Sequence, residues 1–447
     1  MAEIFKVIFG AVAAPVLLIF GFLLFFYVLT LVNIDPGPIF SVMISLTPIW
    51  LPFVLFTVAF DRWMYYVTNK YAYENGRTTL RIKLPQEVFK SPEAMESVLT
   101  LMHVTQSPDN VMQTYLDGKC PLTNSLELVS IGGEVRFYIS VPTKKVKNAL
   151  EAALYSHYPG IEVVEEDFDY VDEITWDPEK YDYFAFHITK KEKGKDFLPI
   201  KTYIDMGMDR LPKEEQKYEP MAPMLEVLGK MKPHERLWVQ ILAVPHIKKN
   251  FKNGSPFKEI PTWEKSGRDY ISKLLKRDER PSIDPDTYEK APTLTMGERD
   301  TIAAIERNIG KLAYEVGIRS LYITQKGKFS ADHISGFLRS FSQYDIIGRN
   351  GMGPAWRTDF DYKMLSDPKG KKLLRWKEAE LADYKSRYYY HRDRKNHSDD
   401  AKVMSTEELA TMYHIPGSSV ITPNLPRITS ARKEAPSNLP TGLPTSF

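Results

Sequence analysis

Cysteine is nearly missing from this chain: Cys120 is the single one in 447 residues. One thiol closes no intrachain disulfide and builds no CxxC zinc site or iron–sulfur cluster from this polypeptide alone. A surplus of one charge sign is missing too. The 59 Lys and Arg stand against 57 Asp and Glu, a net of +2, so no global basic field pulls the chain onto nucleic acid. The nucleotide-hydrolysing loop is also missing. Such a loop needs Gly, four residues, then Gly-Lys-Ser/Thr to cradle phosphates. None of the Gly-Lys pairs, which end at Lys119, Lys195, Lys230, Lys311, Lys328 and Lys371, is followed by Ser or Thr. The sequence holds no G-x-S-x-G nucleophile elbow, and its 9 histidines form no HExxH zinc motif. Gly351-Met352-Gly353 runs into Pro354 and Trp356, which is no dinucleotide fingerprint. No catalytic, cofactor-binding or metal-ligating residue can be nominated on these motifs, and the expectation is a non-enzyme.

Long apolar runs, by contrast, are present at the N-terminus. Residues 7–34 and 36–60 carry no charged side chain. A helix needs about 20 apolar residues to cross a bilayer core, and only a short turn around Asp35 separates the two runs. The expectation is a two-helix transmembrane hairpin over residues 1–62, the second helix kinked at Pro48 and Pro52. A re-entrant or single-span anchor is the alternative; a cleaved signal peptide fits less well, because the first run is too long and a second follows directly. The connecting turn has no Lys or Arg, whereas Lys6 precedes the hairpin and Arg62, Lys70, Arg77, Arg81 and Lys83 follow it. The positive-inside rule then places both termini and the body in the cytoplasm, at the plasma membrane. Arg62, Trp63, Tyr65 and Tyr66 are the expected interfacial anchors, with residues 63–77 as a juxtamembrane linker.

The remainder reads as α+β. Thr79–Leu84 alternates like a strand. Ser91-Pro92-Glu93 opens a helix, whose apolar face is Met95, Val98, Leu99 and Met102. Two alternating runs, 126–131 and 135–141, flank Gly132-Gly133, a hairpin signal. A helix with Val146, Leu150, Ala153 and Leu154 and a strand at 160–164 complete a β-α-β-β-α-β order, the ferredoxin-like arrangement, over 78–170. A looser copy follows over 180–328: a strand at 183–188, a helix through Met224, Leu225 and Leu228, a strand at 236–245, and a polar insertion over 246–297. That insertion holds one short helix near Trp263–Leu275. Ile302, Ile305, Ile309, Leu312 and Val316 then mark one long helix, and 318–324 is the strand after it. The expected fold is two tandem ferredoxin-like units followed by a helical, partly extended region, 329–428. In that region 342–368 reads as irregular, and Ser405-Thr406-Glu407-Glu408 is a capping box. A Pro/Ser/Thr tail, 429–447, is too polar to order without a partner.

Two charge blocks hide inside the neutral total. Residues 162–182 hold ten acids and one lysine; they read as a solvated loop, or alternatively as a cation site or a docking surface for a basic partner. Residues 369–395 hold ten basic and four acidic residues. Here Lys371, Lys372, Arg375, Lys377, Lys385, Arg387, Arg392, Arg394 and Lys395 alternate with Trp376, Tyr384 and Tyr388–Tyr390. Such interleaving can follow a phosphate backbone and stack on bases, or lie on an anionic membrane. It can also be an amphipathic helix whose aromatic side faces the body. Phe137 and Tyr138 are adjacent on one strand and so face opposite sides, which argues against an RNA-recognition module. An enzyme of unrecognised type would require a pocket holding a perturbed carboxylate or histidine.

Several segments together carry a resemblance: Leu80–Pro85, Ser91–Glu96 with His103 downstream, Glu235–Ile241, Gly317–Ile323, Glu407–Gly417 and Ala435–Pro440. The chain resembles an uncharacterised membrane-anchored family of candidate-phyla-type bacteria. That family is similar to the N-terminal, non-ATPase region of type IV secretion and conjugation coupling ATPase-like proteins. In longer relatives a motor domain follows the Asn-Leu-Pro segment; here the chain ends at Phe447. The resemblance therefore implies a platform that docks a separate P-loop ATPase. The expected partners are a lipid bilayer and that ATPase, with nucleic acid as the alternative and self-association open; no cofactor is implied.

Overall fold

The computed structural model describes residues 37–85, 91–106, 108–166, 168–209, 219–246, 262–275, 294–359, 367–387, 402–417 and 425–428, without the side chains of 37–40, 42, 43 and 50. The expected first span, 7–34, and the tail, 429–447, lie outside these residues. The chain divides into two compact units, Met1–Lys70 with Tyr115–Gly118, and the rest.

The described part of the first unit is built on helix α1, Gly37–Asn75, which runs through Pro48 and Pro52. The expected linker at 63–77 is therefore helix up to Asn75 and strand from Arg77. Packing explains the difference. Met64 and Val67, one turn apart, are buried, and residues 115–118 fold back beside them. The Tyr115 ring lies 5.6 Å from Phe60, and Trp63 Nε1 donates to the Tyr115 carbonyl at 2.6 Å. Gly118 has φ +65°, and a Cβ there would stand 2.2 Å from the Val67 carbonyl oxygen. Only glycine supplies both that backbone and that clearance. Ile44, Ile49, Phe53 and Phe56 on α1 are each more than half exposed. Among the described residues no helix is long and apolar enough to cross a membrane, so the expected hairpin has no counterpart there.

The second unit is organised by one sheet. Its strands are β1 Arg77–Pro85, β2 Asn124–Ile131, β3 Glu134–Pro142, β4 Glu162–Glu165, β5 Tyr181–Lys190, β6 Glu235–Pro245, β7 Ala313–Gln325, β8 Met352–Arg357, β9 Lys402–Ser405 and β10 Arg427–Ile428. The order is β10-β1-β3-β2-β6-β7-β5-β8, with β4 also on β1 and β9 on β7. All pairings are antiparallel except β1 with β10. Two four-strand sets, β4-β1-β3-β2 and β6-β7-β5-β8, meet where β2 pairs with β6 from Asn124↔Ala243 to Ile131↔Arg236. The β2–β3 turn has positive φ at both Gly132 and Gly133, the combination a two-residue hairpin requires.

The helices are α2 Pro92–Met102, α3 Lys147–His157, α4 Ala222–Gly229, α5 Trp263–Leu274, α6 Met296–Ile309, α7 Ala331–Ser340, α8 Lys371–Ser386 and α9 Thr406–Met412, besides the short turn Val111–Tyr115. Strand alternation sorts the core between the two faces. Leu128, Phe137, Leu237 and Tyr322 join the core containing side chains of α2, α3, α4, α7 and α9. Their neighbours Val129, Tyr138, Trp238, Leu321 and Ile323 join a second core with Tyr170, Val171, Ile174, Leu381 and Tyr384. A third cluster joins Trp263 and Ile271 of α5 to Ile305 of α6.

Two expectations in this unit change. The single long helix over Ile302–Val316 is a helix ending at Ile309 and a strand beginning at Ala313, broken at Gly310. Val316 shares the apolar spacing because it packs from a strand into the first core. Residues 342–368 are not wholly irregular, because Met352–Arg357 is edge strand β8, paired with β5.

Candidate functional site

The sequence-nominated contacts scatter. Lys371, Lys372 and Arg375 are exposed on α8, and Lys377 and Lys385 are half-buried. Arg392, Arg394 and Lys395 lie outside the described residues. Trp376 packs at 5.6 Å from Trp356, and Tyr384 is buried against Trp238 at 5.5 Å. The aromatic side of this helix therefore faces the protein. Arg62, Trp63, Tyr65 and Tyr66 are all exposed on α1.

Arg387 is the correction. It is only 3% exposed and closes α8 in the left-handed region at φ 50°. Its Nε donates to Glu127 Oε1 at 2.6 Å and its Nη2 to Glu127 Oε2 at 3.1 Å. The guanidinium also donates to both oxygens of Asp169. Glu127 is fully buried on β2 and accepts further from Tyr170 Oη at 2.7 Å, Ser125 Oγ at 2.6 Å and Gln240 Nε2 at 3.1 Å. A lone buried carboxylate would be very costly, so the planar fork of Arg387 is needed here and is unavailable to a phosphate backbone. The acidic block is not a free solvated loop either. Glu162, Glu165, Glu166, Glu173 and Asp182 pair with Lys83, Lys147, Arg81, Arg236 and Lys326.

The Glu407–Gly417 segment is buried throughout. The capping box forms at Ser405 and Glu408. Glu408 is also the partner of fully buried Lys190, at 2.8 Å, and accepts from Ile200 N at 3.0 Å. Glu407 meets Arg307 and Lys311, while Asp205 draws in Arg307 and Arg349. His414 pairs with Glu219. Burial pushes the Glu219 carboxyl up, but His414 and backbone donors outweigh it and hold it below the usual range. These groups bind the segment to the sheet and offer no bare reactive atom.

A cleft of about 330 Å³ opens beside the α6–β7 turn. It is lined by His103, His246, Trp263, Glu264, Arg268, Lys311 and the backbone around Gly310. His103 caps α2, and its Nε2 lies 2.8 Å from the Ala313 carbonyl, to which it donates. Burial lowers its pKa, which favours the neutral ring. His246 directly follows β6, and its Nδ1 lies 3.1 Å from Glu315 Oε1. Its Nε2 is buried with no hydrogen-bond partner. Among the described residues no Ser, Cys or Thr side chain lines the cleft. Among the described residues no group of three or more His, Cys, Asp or Glu could hold a metal ion. Sequence reading missed this site because its parts come from four distant segments. His103 was noticed only as part of a motif.

The fold and these networks define an α+β protein whose body is one continuous, mostly antiparallel sheet covered on both faces. Residues 70–427 match the family described as domain of unknown function DUF8128, and the chain belongs to that family. No curated protein matches the chain.

Proposed function

We propose that this protein is a membrane-anchored, non-enzymatic platform that docks a P-loop ATPase of a type IV secretion- or DNA-transfer-like machine at the cytoplasmic face of the plasma membrane. The observation that carries the anchor is the exposed apolar surface of α1: Ile44, Ile49, Phe53 and Phe56 face outward within a run, 36–60, that has no charge. Exposed apolar side chains of this kind are what a bilayer solvates. Trp63, Tyr65 and Tyr66 follow it on the same helix, where an interfacial belt belongs. The docking half rests on the resemblance to coupling-ATPase-like proteins, whose motifs at Leu80, Glu235, Gly317 and Glu407 fall inside the family match. The body supports it as a scaffold. We read each four-strand set as a ferredoxin-like unit, the two related by duplication, with α7 and β8 completing the second.

The test is affinity capture of the tagged full-length chain, cross-linked in its native membrane, followed by mass spectrometry. Recovery of a P-loop ATPase, lost on a control membrane protein, is expected; repeated recovery of none removes the docking reading. A nucleic-acid surface remains the second reading, narrowed to Lys371, Lys372 and Arg375, which are exposed together on α8. It predicts salt-dependent binding that weakens when these three are reversed in charge.

A further inference from the structure

We infer that residues 115–118 are a second membrane-contacting element, with the Leu116 side chain seated in the interfacial layer of the bilayer beside Trp63. The inference rests on the bilayer reading of α1 and adds to it a contact from a distant part of the sequence. A lone exposed leucine is ordinary protein surface, but Leu116 is not alone. It is 55% exposed, and Trp63, Tyr65 and Tyr66 on α1 are exposed as well. Its neighbour Tyr115 ties it to that helix. The Tyr115 ring meets Phe60, and the Tyr115 carbonyl accepts from Trp63 Nε1. The Phe60 ring continues to Phe56 at 5.9 Å, and the Trp63 ring to Tyr66 at 6.0 Å. The segment thereby joins the outward-facing apolar side chains of α1.

Position along α1 sets the depth. The charge-free run ends at Phe60, and Asp61 and Arg62 follow. Trp63 therefore stands about 4.5 Å along the helix beyond the last uncharged residue, at about 1.5 Å per residue. Each headgroup layer adds roughly 5–8 Å to the hydrocarbon core, so Trp63 falls within it. Tyr115 touches the helix at Phe60 and Trp63, and Leu116 follows at that level. Gly118 meets α1 about one turn further on, at Val67. These contacts hold the segment against α1. An interfacial layer accepts Leu beside Trp and Tyr, whose rings are apolar and whose tips are polar. The occupant is a bilayer because this surface runs on into the charge-free part of the same helix.

The test is fluorescence quenching of the full-length chain in phospholipid vesicles. Cys120, the single native thiol, is removed as Cys120→Ser, and Leu116→Cys or Phe56→Cys then carries a nitrobenzoxadiazole label. Both positions are exposed, so neither label has to displace protein. Lipid with a nitroxide on its upper acyl chain reports contact with the bilayer, and aqueous iodide reports contact with water. The label at Leu116→Cys is expected to be quenched by the nitroxide lipid and to lose most of the iodide quenching that the free dye shows. If the label at Phe56→Cys meets lipid while that at Leu116→Cys is quenched by iodide alone, the inference is overturned and the anchor stands. Shielding of Leu116→Cys from both quenchers also overturns it, since protein would then cover the site. If neither label meets lipid, the anchor reading itself fails and takes the inference with it.

Discussion

Arg387 carries the sharpest consequence of a single side chain. It sits in a basic run, yet its guanidinium neutralises the fully buried Glu127 and reaches Asp169. Truncating one partner of such a pair strands the other charge, at a cost of about 3–5 kcal/mol. Arg387→Ala should lower stability by that amount in urea unfolding of the full-length chain. Reversing Lys371, Lys372 and Arg375 together should change it by less than about 1 kcal/mol, since each is exposed and surface changes are small. Equal losses from the two variants would refute the placement of Arg387. His103 gives a pH prediction. Its folded pKa lies below the ordinary histidine value, so the unfolded chain takes up the proton first as pH falls. The stability it contributes is full above about pH 6.5 and is lost as pH drops from there toward the folded value. Glu219, also depressed, loses its contribution the same way at lower pH. Unfolding midpoints measured from pH 7.5 to 5.5 should fall, and His103→Asn should flatten that slope; an unchanged slope would contradict the assignment.

Elements were readable wherever local chemistry and packing agreed. Ser405 to Glu408 announced its helix because a capping box is a four-residue signal. Its second role was hidden, because nothing near Glu408 in sequence points to Lys190, more than two hundred residues earlier. Ser405→Ala should therefore cost about 1 kcal/mol, whereas Glu408→Gln, which leaves Lys190 buried without its counter-charge, should cost about 3–5 kcal/mol. A thermal melt of each variant checks the ratio. Strand β8 was missed because Gly353 and Pro354 are poor strand formers, and Pro is tolerated only at an edge; the strand exists because β5 supplies the ladder. The helix of 302–316 was overextended because Val316 continues the apolar spacing by coincidence of a strand packing on the same core. Gly118→Ala tests the fold of residues 115–118. The added Cβ would meet the Val67 carbonyl, and a loss of more than about 1 kcal/mol is expected. A neutral result would mean the loop does not close on α1.

At the scale of the whole molecule, the four strands of the first half and three of the second half's four were legible from alternation, Gly-Gly and helix spacing; β8 was not. The joining of the halves through β2 and β6 was not, because a strand does not name its neighbour across a hundred residues. The candidate cleft was illegible for the same reason. The α+β class stands, and the family match covers residues 70–427, the body rather than the apolar run before it. Membrane attachment is the claim on which the proposed platform depends. Its most direct measurement is alkaline carbonate extraction of membranes from cells expressing the full-length chain, beside a variant lacking residues 1–60. The full-length chain should stay in the membrane pellet while the truncated chain moves to the supernatant. Release of the full-length chain by carbonate would contradict the account.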